Sequence, residues 1–173
     1  MFTIERYHDI SCGHRVAGHE SKCAHLHGHN YRVIFECCAQ HPMVEVTTME
    51  DAEPRFVPIN NTELDSVGRV IDFSVVKEKL CMWLEDNWDH KFLAWDNDPE
   101  MVLLYDECPT PTFKDSLVWV PFNPTAENIA RYLVEVVAPN QLAGTGVMLR
   151  RCTVEETRKC SASYALPGVR DHA

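Results

Sequence analysis

Two histidines separated by one residue, His27 and His29, give this chain its clearest chemical signal. They open a run with the alternation of a β-strand, in which residues i and i+2 lie on the same side, so both imidazoles can point at one centre. Gly28 between them leaves the other side of the strand open to close backbone approach. Because imidazole is a preferred zinc ligand, the pair predicts a bound Zn²⁺ rather than two ordinary histidines.

His14 completes a set of three imidazoles. Three protein ligands with an open position are typical of catalytic zinc, whereas structural zinc sites are usually closed by four ligands. Cys23, four residues before His27, could act beside the metal as a nucleophile or a base. Two alternatives remain open: Cys23 is the fourth ligand of a closed structural site, or His19 or His25 replaces one of the three histidines.

Asp89 and His90 form a second candidate unit. A histidine oriented by a carboxylate works as an acid and a base near neutral pH. Taken alone, the pair is better explained as a surface feature of a helix C-terminal turn, where a histidine is favourable. Beside a cysteine and a zinc site, the catalytic interpretation becomes the better one.

Glu156 is a candidate because of its position in a predicted strand. It has the same parity as Met148, Cys152 and Val154, which would form an apolar strand face. A carboxylate on such a face needs a partner, because burying it unpaired is costly. Glu155 has the opposite parity and is expected to be solvated.

The bulk properties favour one soluble domain and exclude some classes of partner. A length of 173 residues suits a single domain, 1–173, with a core of its own. The net charge of -10, from 26 acidic and 16 basic residues, argues against a nucleic-acid partner. No apolar run approaches the ~18 residues that a bilayer crossing needs, so no membrane partner is expected.

The N-terminus and the cysteines favour a cytoplasmic location. The start, Met1 to Arg6, has no basic segment followed by an apolar run, so we expect no secretory signal. The 8 cysteines are scattered and include no Cys-x-x-Cys pair. We therefore expect most of them to be reduced, buried apolar side chains.

The elements that must position these groups form an α+β pattern. Strands are predicted at 2–10, 29–38, 146–157 and 161–166, and helices at 72–87 and from Thr125 to a stop at Pro139-Asn140. This order predicts a four-stranded antiparallel sheet with two helices on one face. Because such a sheet has two open edges, we expect oligomerisation.

Each predicted helix has an N-cap and an apolar stripe. The caps are Asp72 and Thr125. The stripes are Phe73, Val76, Leu80, Trp83 and Leu84 in the first helix, and Ile129, Leu133 and Val136–Val137 in the second.

Two segments carry weaker expectations. Residues 41–68 are acidic and are predicted to be a peripheral insertion, either a hairpin of the β-like runs 44–49 and 55–59 or a mobile loop. Residues 96–122 contain four prolines and are predicted to be a long connection with a short strand at 117–120.

Taken together, these residues resemble the 6-pyruvoyl-tetrahydropterin synthase family, and within it the 6-carboxy-tetrahydropterin synthase branch. The resemblance covers most of the chain and keeps the family's order. Its motifs are His14-Arg15-Val16, Cys23-x-x-x-His27-Gly28-His29-Asn30-Tyr31, Val70-Ile71-Asp72-Phe73, Asp89-His90, Pro121-Phe122-Asn123-Pro124-Thr125-Ala126-Glu127-Asn128 and Val154-Glu155-Glu156-Thr157. The three residues between Cys23 and His27 look like the carboxy branch, since the pyruvoyl enzymes typically have a longer gap.

The resemblance implies a fold, an assembly and a set of roles. The fold would be the tunnelling fold (T-fold), in which trimers close a β-barrel and two trimers stack as a homohexamer. The roles carried over by the motifs are zinc ligation by His14, His27 and His29, catalysis by Cys23, Asp89 and His90, and substrate binding by Glu156 and Thr157.

The implied substrate is 7,8-dihydroneopterin triphosphate. Loss of triphosphate and acetaldehyde would give 6-carboxy-5,6,7,8-tetrahydropterin, on the queuosine and 7-deazaguanine (preQ0) pathway. A pyruvoyl-forming, triphosphate-eliminating lyase is the nearest alternative, and a non-catalytic zinc-binding structural module is another. A zinc hydrolase is disfavoured, because the chain has no His-Glu-x-x-His arrangement to activate water.

Overall fold

A six-stranded sheet is the framework of the structure, a computed structural model that describes residues 2–40, 43–46, 55–58 and 64–167. In chain order the described strands are β1 (Thr3–His14), β2 (His27–Ala39), β3 (Met43–Val46), β4 (Arg55–Pro58), β5 (Phe92–Trp95), β6 (Leu117–Val120), β7 (Val147–Thr157) and β8 (Cys160–Ala165). Their spatial order in the large sheet is β6-β5-β1-β2-β7-β8, and β3 pairs only with β4.

The four predicted antiparallel strands are confirmed as β1, β2, β7 and β8. The sheet is wider than predicted, because β5 and β6 add two short parallel strands beside β1. The strand at 117–120 was expected, but Phe92–Trp95 was not. Its pairing partner Gly13-His14 lies far away in sequence, so no local alternation marks it.

Side chains alternate cleanly along β1. Ile10, Cys12 and His14 are buried, whereas Asp9 and Ser11 between them are exposed. Ile10 and Cys12 belong to the main core, which also contains the buried residues of the helices, and His14 continues their side of the strand. The sheet therefore has one face covered by helices and one open face, and the last buried position of β1 is a histidine.

Two irregularities interrupt the alternation of β7. The register against β2 shifts at Arg150, so that Leu149 is buried before the shift and Cys152 after it. The prediction that Met148 shares the buried face was therefore wrong, because one extra residue in a β-bulge reverses the parity upstream of it. A second shift, against β8, falls at Glu156.

The first predicted helix is confirmed as one helical run with an internal π turn. It comprises α1 (Phe73–Val76), the turn Lys77–Cys81 and α2 (Met82–Asn87). Asp72 caps it by accepting a hydrogen bond from the Ser74 amide at 2.8 Å. Phe73 was wrongly placed in the buried stripe: it is 52% exposed, in the first turn beside an open pocket at the start of β1.

The predicted connection at 96–122 contains two helices that were not predicted. They are α3 (Pro99–Glu107) and α4 (Pro111–Asp115). Asp98 caps α3 and Pro99 is its first residue, a combination typical of a helix start. The Asp-Pro pattern could have predicted the start of this helix. It was overlooked because the segment contains four prolines, which are typical of a connection.

The second predicted helix is confirmed as α5 (Ala126–Tyr132), a π turn at Leu133–Val137 and α6 (Ala138–Gln141). Thr125 caps α5 through the Asn128 amide. Val136 is 42% exposed and not buried as predicted, because the extra residue of a π turn rotates the apolar stripe. The predicted stop at Pro139-Asn140 was also wrong. The helix passes Pro139 directly after the π turn and ends at Gln141.

Within 41–68, the structure describes β3, β4 and residues 64–68. The antiparallel pairing of β3 with β4 agrees with the hairpin alternative for those residues, and the rest of the predicted insertion lies outside the described ranges. Across the described ranges, the helices are all too short or too polar to pass through a bilayer.

Candidate metal centre and active site

Three histidines meet where β1 ends and β2 begins. His14 pairs with His27 in the β1–β2 register, and His29 lies two residues further along β2 on the same face. One nitrogen from each ring lies within 4.8 Å of the other two. The ring centroids of His14 are 4.5 Å from His27 and 5.2 Å from His29. The predicted convergence of the three imidazoles is thus present in the structure.

The hydrogen bonds of two rings leave one nitrogen of each free to bind a cation. His14 Nδ1 donates to the Pro124 carbonyl at 2.6 Å, and His27 Nδ1 donates to the His25 carbonyl at 2.8 Å. A carbonyl only accepts, so the lone pair of each ring lies on Nε2. His14 Nε2 is buried without a hydrogen-bond partner among the described residues. An unpartnered buried acceptor facing two other imidazoles fits a metal ion.

Burial also keeps the imidazoles of His14 and His29 in the neutral form that binds metals. His14 is 1% exposed, and burial lowers its pKa to about 4 although the Pro124 hydrogen bond acts in the opposite direction. Burial likewise lowers the pKa of His29, against the attraction of Glu156. Because only the neutral ring offers a lone pair, both histidines are ready to ligate at neutral pH.

Two glycines allow the strands to meet closely behind the histidines. Gly13 and Gly28 pair across β1 and β2. A Cβ on Gly13 would lie 2.5 Å from Cδ2 of Phe92, and a Cβ on Gly28 would lie 3.1 Å from the Cys12 carbonyl oxygen. The absence of side chains here leaves room for the Phe92 ring beside Gly13 and for the backbone of β1 beside Gly28.

We expect Gly13→Ala to lower the free energy of unfolding by about 1–3 kcal/mol, the usual result of overpacking. The clash involves the Phe92 ring, so Gly13→Ala combined with Phe92→Ala should lose less stability than the sum of the two single changes. Urea unfolding of the four proteins measures this. Strict additivity would show that the ring is not the cause.

Cys23 lies in the loop between β1 and β2, beside the histidines but outside their ligand cluster. It belongs to a short 3₁₀ turn, Lys22–Ala24, and its carbonyl accepts a hydrogen bond from the Val16 amide at 2.8 Å. His19 and His25 are also outside the cluster. The geometry therefore favours an open site with three ligands over the closed and substituted alternatives.

A cavity of about 280 Å³ adjoins the histidines. Its wall includes His14, Cys23 and Glu156, together with Thr125 and Glu127 from the start of α5. From the sequence, Thr125 was expected to cap its helix, and Glu127 appeared only within a motif of the family resemblance. The cavity brings two cysteines, Cys23 and Cys160, two carboxylates and the buried edge of the histidine cluster to one concave space.

Glu156 reaches this cavity from the second irregularity of β7. Its Oε1 lies 4.0 Å from His14 Nε2. The predicted inward direction agrees with this position, but the alternation argument alone is incomplete because the register shifts at this residue. The neighbouring Thr157 is exposed.

Asp89 and His90 form the predicted pair, with His90 Nδ1 2.7 Å from Asp89 Oδ2. The pair is attached to β1: Asp89 Oδ1 accepts from the Ser11 amide at 2.8 Å, and the His90 amide donates to the Ser11 carbonyl. Burial raises the pKa of Asp89, but the hydrogen bonds from Ser11 and His90 outweigh it and hold the pKa below its usual value. Asp89 is thus an anion that orients the ring.

Within one chain, His90 and Cys23 do not line the same space. His90 is 82% exposed and lines a larger groove of about 1210 Å³ on the open face of the sheet, with Ser11 and Thr157. Glu156 borders both this groove and the cavity. The cavity therefore brings together Cys23, Glu156 and His14, whereas the groove places His90 with Glu156 and with His29 of the histidine cluster.

An ion pair that was not predicted from the sequence holds the end of β1 in place. Arg15 follows His14 directly, and its Nε lies 3.2 Å from the buried Asp98 Oδ2. Asp98 Oδ1 accepts from the amides of Glu100 and Met101 at the start of α3. The missed helix thus holds the strand that carries His14.

Comparison with known proteins is consistent with this geometry. Residues 3–167 match the family model described as 6-pyruvoyl tetrahydropterin synthase. A protein of Rickettsia felis named 6-carboxy-5,6,7,8-tetrahydropterin synthase is 29% identical over 160 residues, which cover 92% of this chain and 97% of that one.

Solved structures show the same fold. An uncharacterized protein from Wolinella succinogenes has a TM-score of 0.70 at 21% identity, covering 95% of this chain and 97% of that one. The 6-pyruvoyl tetrahydropterin synthase of Caenorhabditis elegans has a TM-score of 0.56 at 22% identity, covering 95% and 94%.

Proposed function

Because the chain belongs to the 6-pyruvoyl tetrahydropterin synthase family and has its tunnelling fold, we propose that it is a zinc-dependent 6-carboxy-5,6,7,8-tetrahydropterin synthase. The substrate would be 7,8-dihydroneopterin triphosphate, cleaved with loss of triphosphate and acetaldehyde, on the queuosine and 7-deazaguanine (preQ0) pathway. The observation that carries the proposal is the cluster of His14, His27 and His29 with Cys23 close by and outside it.

Two features support the carboxy branch over the pyruvoyl branch. The relative from Rickettsia felis has the name of the carboxy enzyme, and its match covers nearly the whole of both chains. Three residues separate Cys23 from His27, which is the spacing that resembles this branch.

The residues around the cavity have complementary roles in this proposal. Zinc, when held by the three histidines, supplies a Lewis acid that polarises the side-chain hydroxyls of the substrate and acidifies the adjacent C–H. Cys23 accepts the proton from that carbon. Glu156 binds the guanidine-like edge of the pterin through charge-assisted hydrogen bonds. Glu127 and Thr125 offer further acceptors on the same wall.

The Asp89–His90 pair acts as the second proton carrier. Asp89 fixes the Nδ1 proton of His90, so that Nε2 can exchange protons with the substrate. Since His90 lines the groove and not the cavity of its own chain, we assign it to the site of a neighbouring copy. This assignment requires an oligomer, and we propose the homohexamer built as a dimer of trimers.

Product analysis tests the proposal. Purified, zinc-loaded protein is incubated with 7,8-dihydroneopterin triphosphate, and the released pterin is identified by mass spectrometry. Release of 6-carboxytetrahydropterin with acetaldehyde supports it. Release of the 6-pyruvoyl product would assign the chain to the other branch, and an unchanged substrate would favour a non-catalytic zinc module.

We expect Glu156→Gln to weaken pterin binding by about 10- to 100-fold while the zinc content stays unchanged. A hydrogen bond to a charged group contributes roughly 1.5–3 kcal/mol, and a tenfold change corresponds to about 1.4 kcal/mol. Isothermal titration with a dihydropterin measures the change. Glu155→Gln is the matched control, and equal losses in both variants would remove Glu156 from the binding site.

A further inference from the structure

Three cysteines of this chain are accessible, and two of them share one cavity. Cys12, Cys37, Cys38, Cys81 and Cys152 are buried, whereas Cys23 and Cys108 are half-buried and Cys160 is exposed. Cys23 and Cys160 both line the cavity of about 280 Å³ beside His14. Cys108 follows α3, and its Sγ lies 3.2 Å from Thr110 Oγ1. Of the accessible thiols, Cys23 and Cys160 thus share a cavity, and Cys108 lies apart from them.

The second of these thiols, Cys160, lies where β8 begins. Cys160 is the first residue of β8 and pairs with Thr157 across the two-residue turn. The next two residues of β8, Ser161 and Ala162, line the same cavity. Cys23 approaches from the β1–β2 loop. The start of α5 lines the same cavity through Thr125, Ala126 and Glu127.

The segment that carries Cys23 is a short turn between two strands. Its 3₁₀ turn has three residues, and the N-cap Ser21 makes no side-chain capping bond. A disulfide requires a Cα separation of about 4.4–6.8 Å. A bond to Cys160, which the ladder between β7 and β8 holds in place, therefore requires the Cys23 turn to come within that separation.

We propose that Cys23 and Cys160 form a reversible disulfide when the protein meets a peroxide, and that this bond closes the cavity. The inference rests on the proposed function only in naming Cys23 as the base that is lost. The Cys23 thiolate attacks one peroxide oxygen and the O–O bond breaks, which releases hydroxide and leaves a sulfenic acid. The Cys160 thiolate then displaces hydroxide from that sulfur. In sum, two thiols and one H₂O₂ give one disulfide and two waters, and a thiol reductant reverses the reaction.

The other thiols of the chain react differently. Burial raises the pKa of Cys12 and of Cys37 to about 12, so both stay protonated and inert. The hydrogen bond from Thr110 lowers the pKa of Cys108, which makes Cys108 the strongest competitor on reactivity alone. Selective pairing of Cys23 with Cys160 would therefore reflect their shared cavity and not general reactivity.

Peptide mapping of the full chain tests the disulfide. The native protein is treated with a stoichiometric amount of H₂O₂, alkylated with iodoacetamide and digested with trypsin, which releases Cys23 in peptide 23–32, Cys160 in 160–170 and Cys108 in 92–114. We expect a linked 23–32/160–170 species that dithiothreitol dissolves, and an alkylated Cys108. The same link should form in Cys108→Ser and be absent in Cys160→Ser. Full alkylation of both peptides, or a link from Cys23 to Cys108 or between chains, would overturn the proposal.

The result is separable from the proposed function. The linked peptide is measured by mass without a pterin, and the zinc content should stay constant because the three histidines are not consumed. With the pterin substrate, turnover should fall in proportion to the linked fraction and return with dithiothreitol. The disulfide could form in the unmodified protein although the Cys23→Ala variant remains active. That result would refute the role of Cys23 as the base and would still support the disulfide.

Discussion

Cys23→Ala should lower kcat with 7,8-dihydroneopterin triphosphate by roughly 10²–10⁴-fold, the contribution typical of a positioned proton acceptor. The cysteine lies outside the cluster of histidine nitrogens, so its removal should leave the bound zinc unchanged. Steady-state kinetics together with metal analysis of the same preparation measures both quantities.

The control for this prediction is Cys160→Ala, which removes a thiol from the other wall of the same cavity. It should lower kcat far less than Cys23→Ala. Loss of zinc in Cys23→Ala would mean that the sulfur is a ligand, and the site would then be the closed structural type. Unchanged turnover would eliminate Cys23 as the base.

His27→Ala should abolish stoichiometric zinc binding and, with it, turnover. Two imidazoles would remain, and two ligands fall short of the three protein ligands typical of catalytic zinc. His27 begins β2, and its removal should cost little stability compared with removal of the fully buried His14. Metal analysis after dialysis and a competition titration with a zinc chelator measure the loss.

His25→Ala provides the matched control, because His25 contributes only its backbone carbonyl to His27 and lies outside the cluster. It should retain full zinc content and nearly all activity. If His25→Ala lost zinc as completely as His27→Ala, the ligand set would have to be revised toward the alternatives that the sequence left open.

Local periodicity predicted the parts of the site that depend on one strand. His27 and His29 point the same way because alternation in a strand is a local property, and His14 has the parity of the buried face of β1. Capping chemistry is equally local, and Asp72 and Thr125 cap their helices as predicted. For these side chains, the local sequence pattern was sufficient to predict their direction, because the backbone around them is regular.

The failures share a different physical origin. Met148 and Val136 were misplaced because a bulge and a π turn each insert one residue, which no periodic pattern reveals. The strand β5 is defined by its parallel partners, which lie far away in sequence. The cavity, with Thr125 and Glu127 beside Cys23, is likewise a product of tertiary packing.

The two register shifts of β7 have a consequence for how the site tolerates change. Each shift adds a residue that has no partner opposite it, so the direction of the Glu156 carboxylate depends on the count of residues in the strand. A single-residue deletion between Arg150 and Glu156 would swing that carboxylate away from His14 without altering one functional side chain. The position of this carboxylate therefore depends on the number of residues in the strand as well as on their identity.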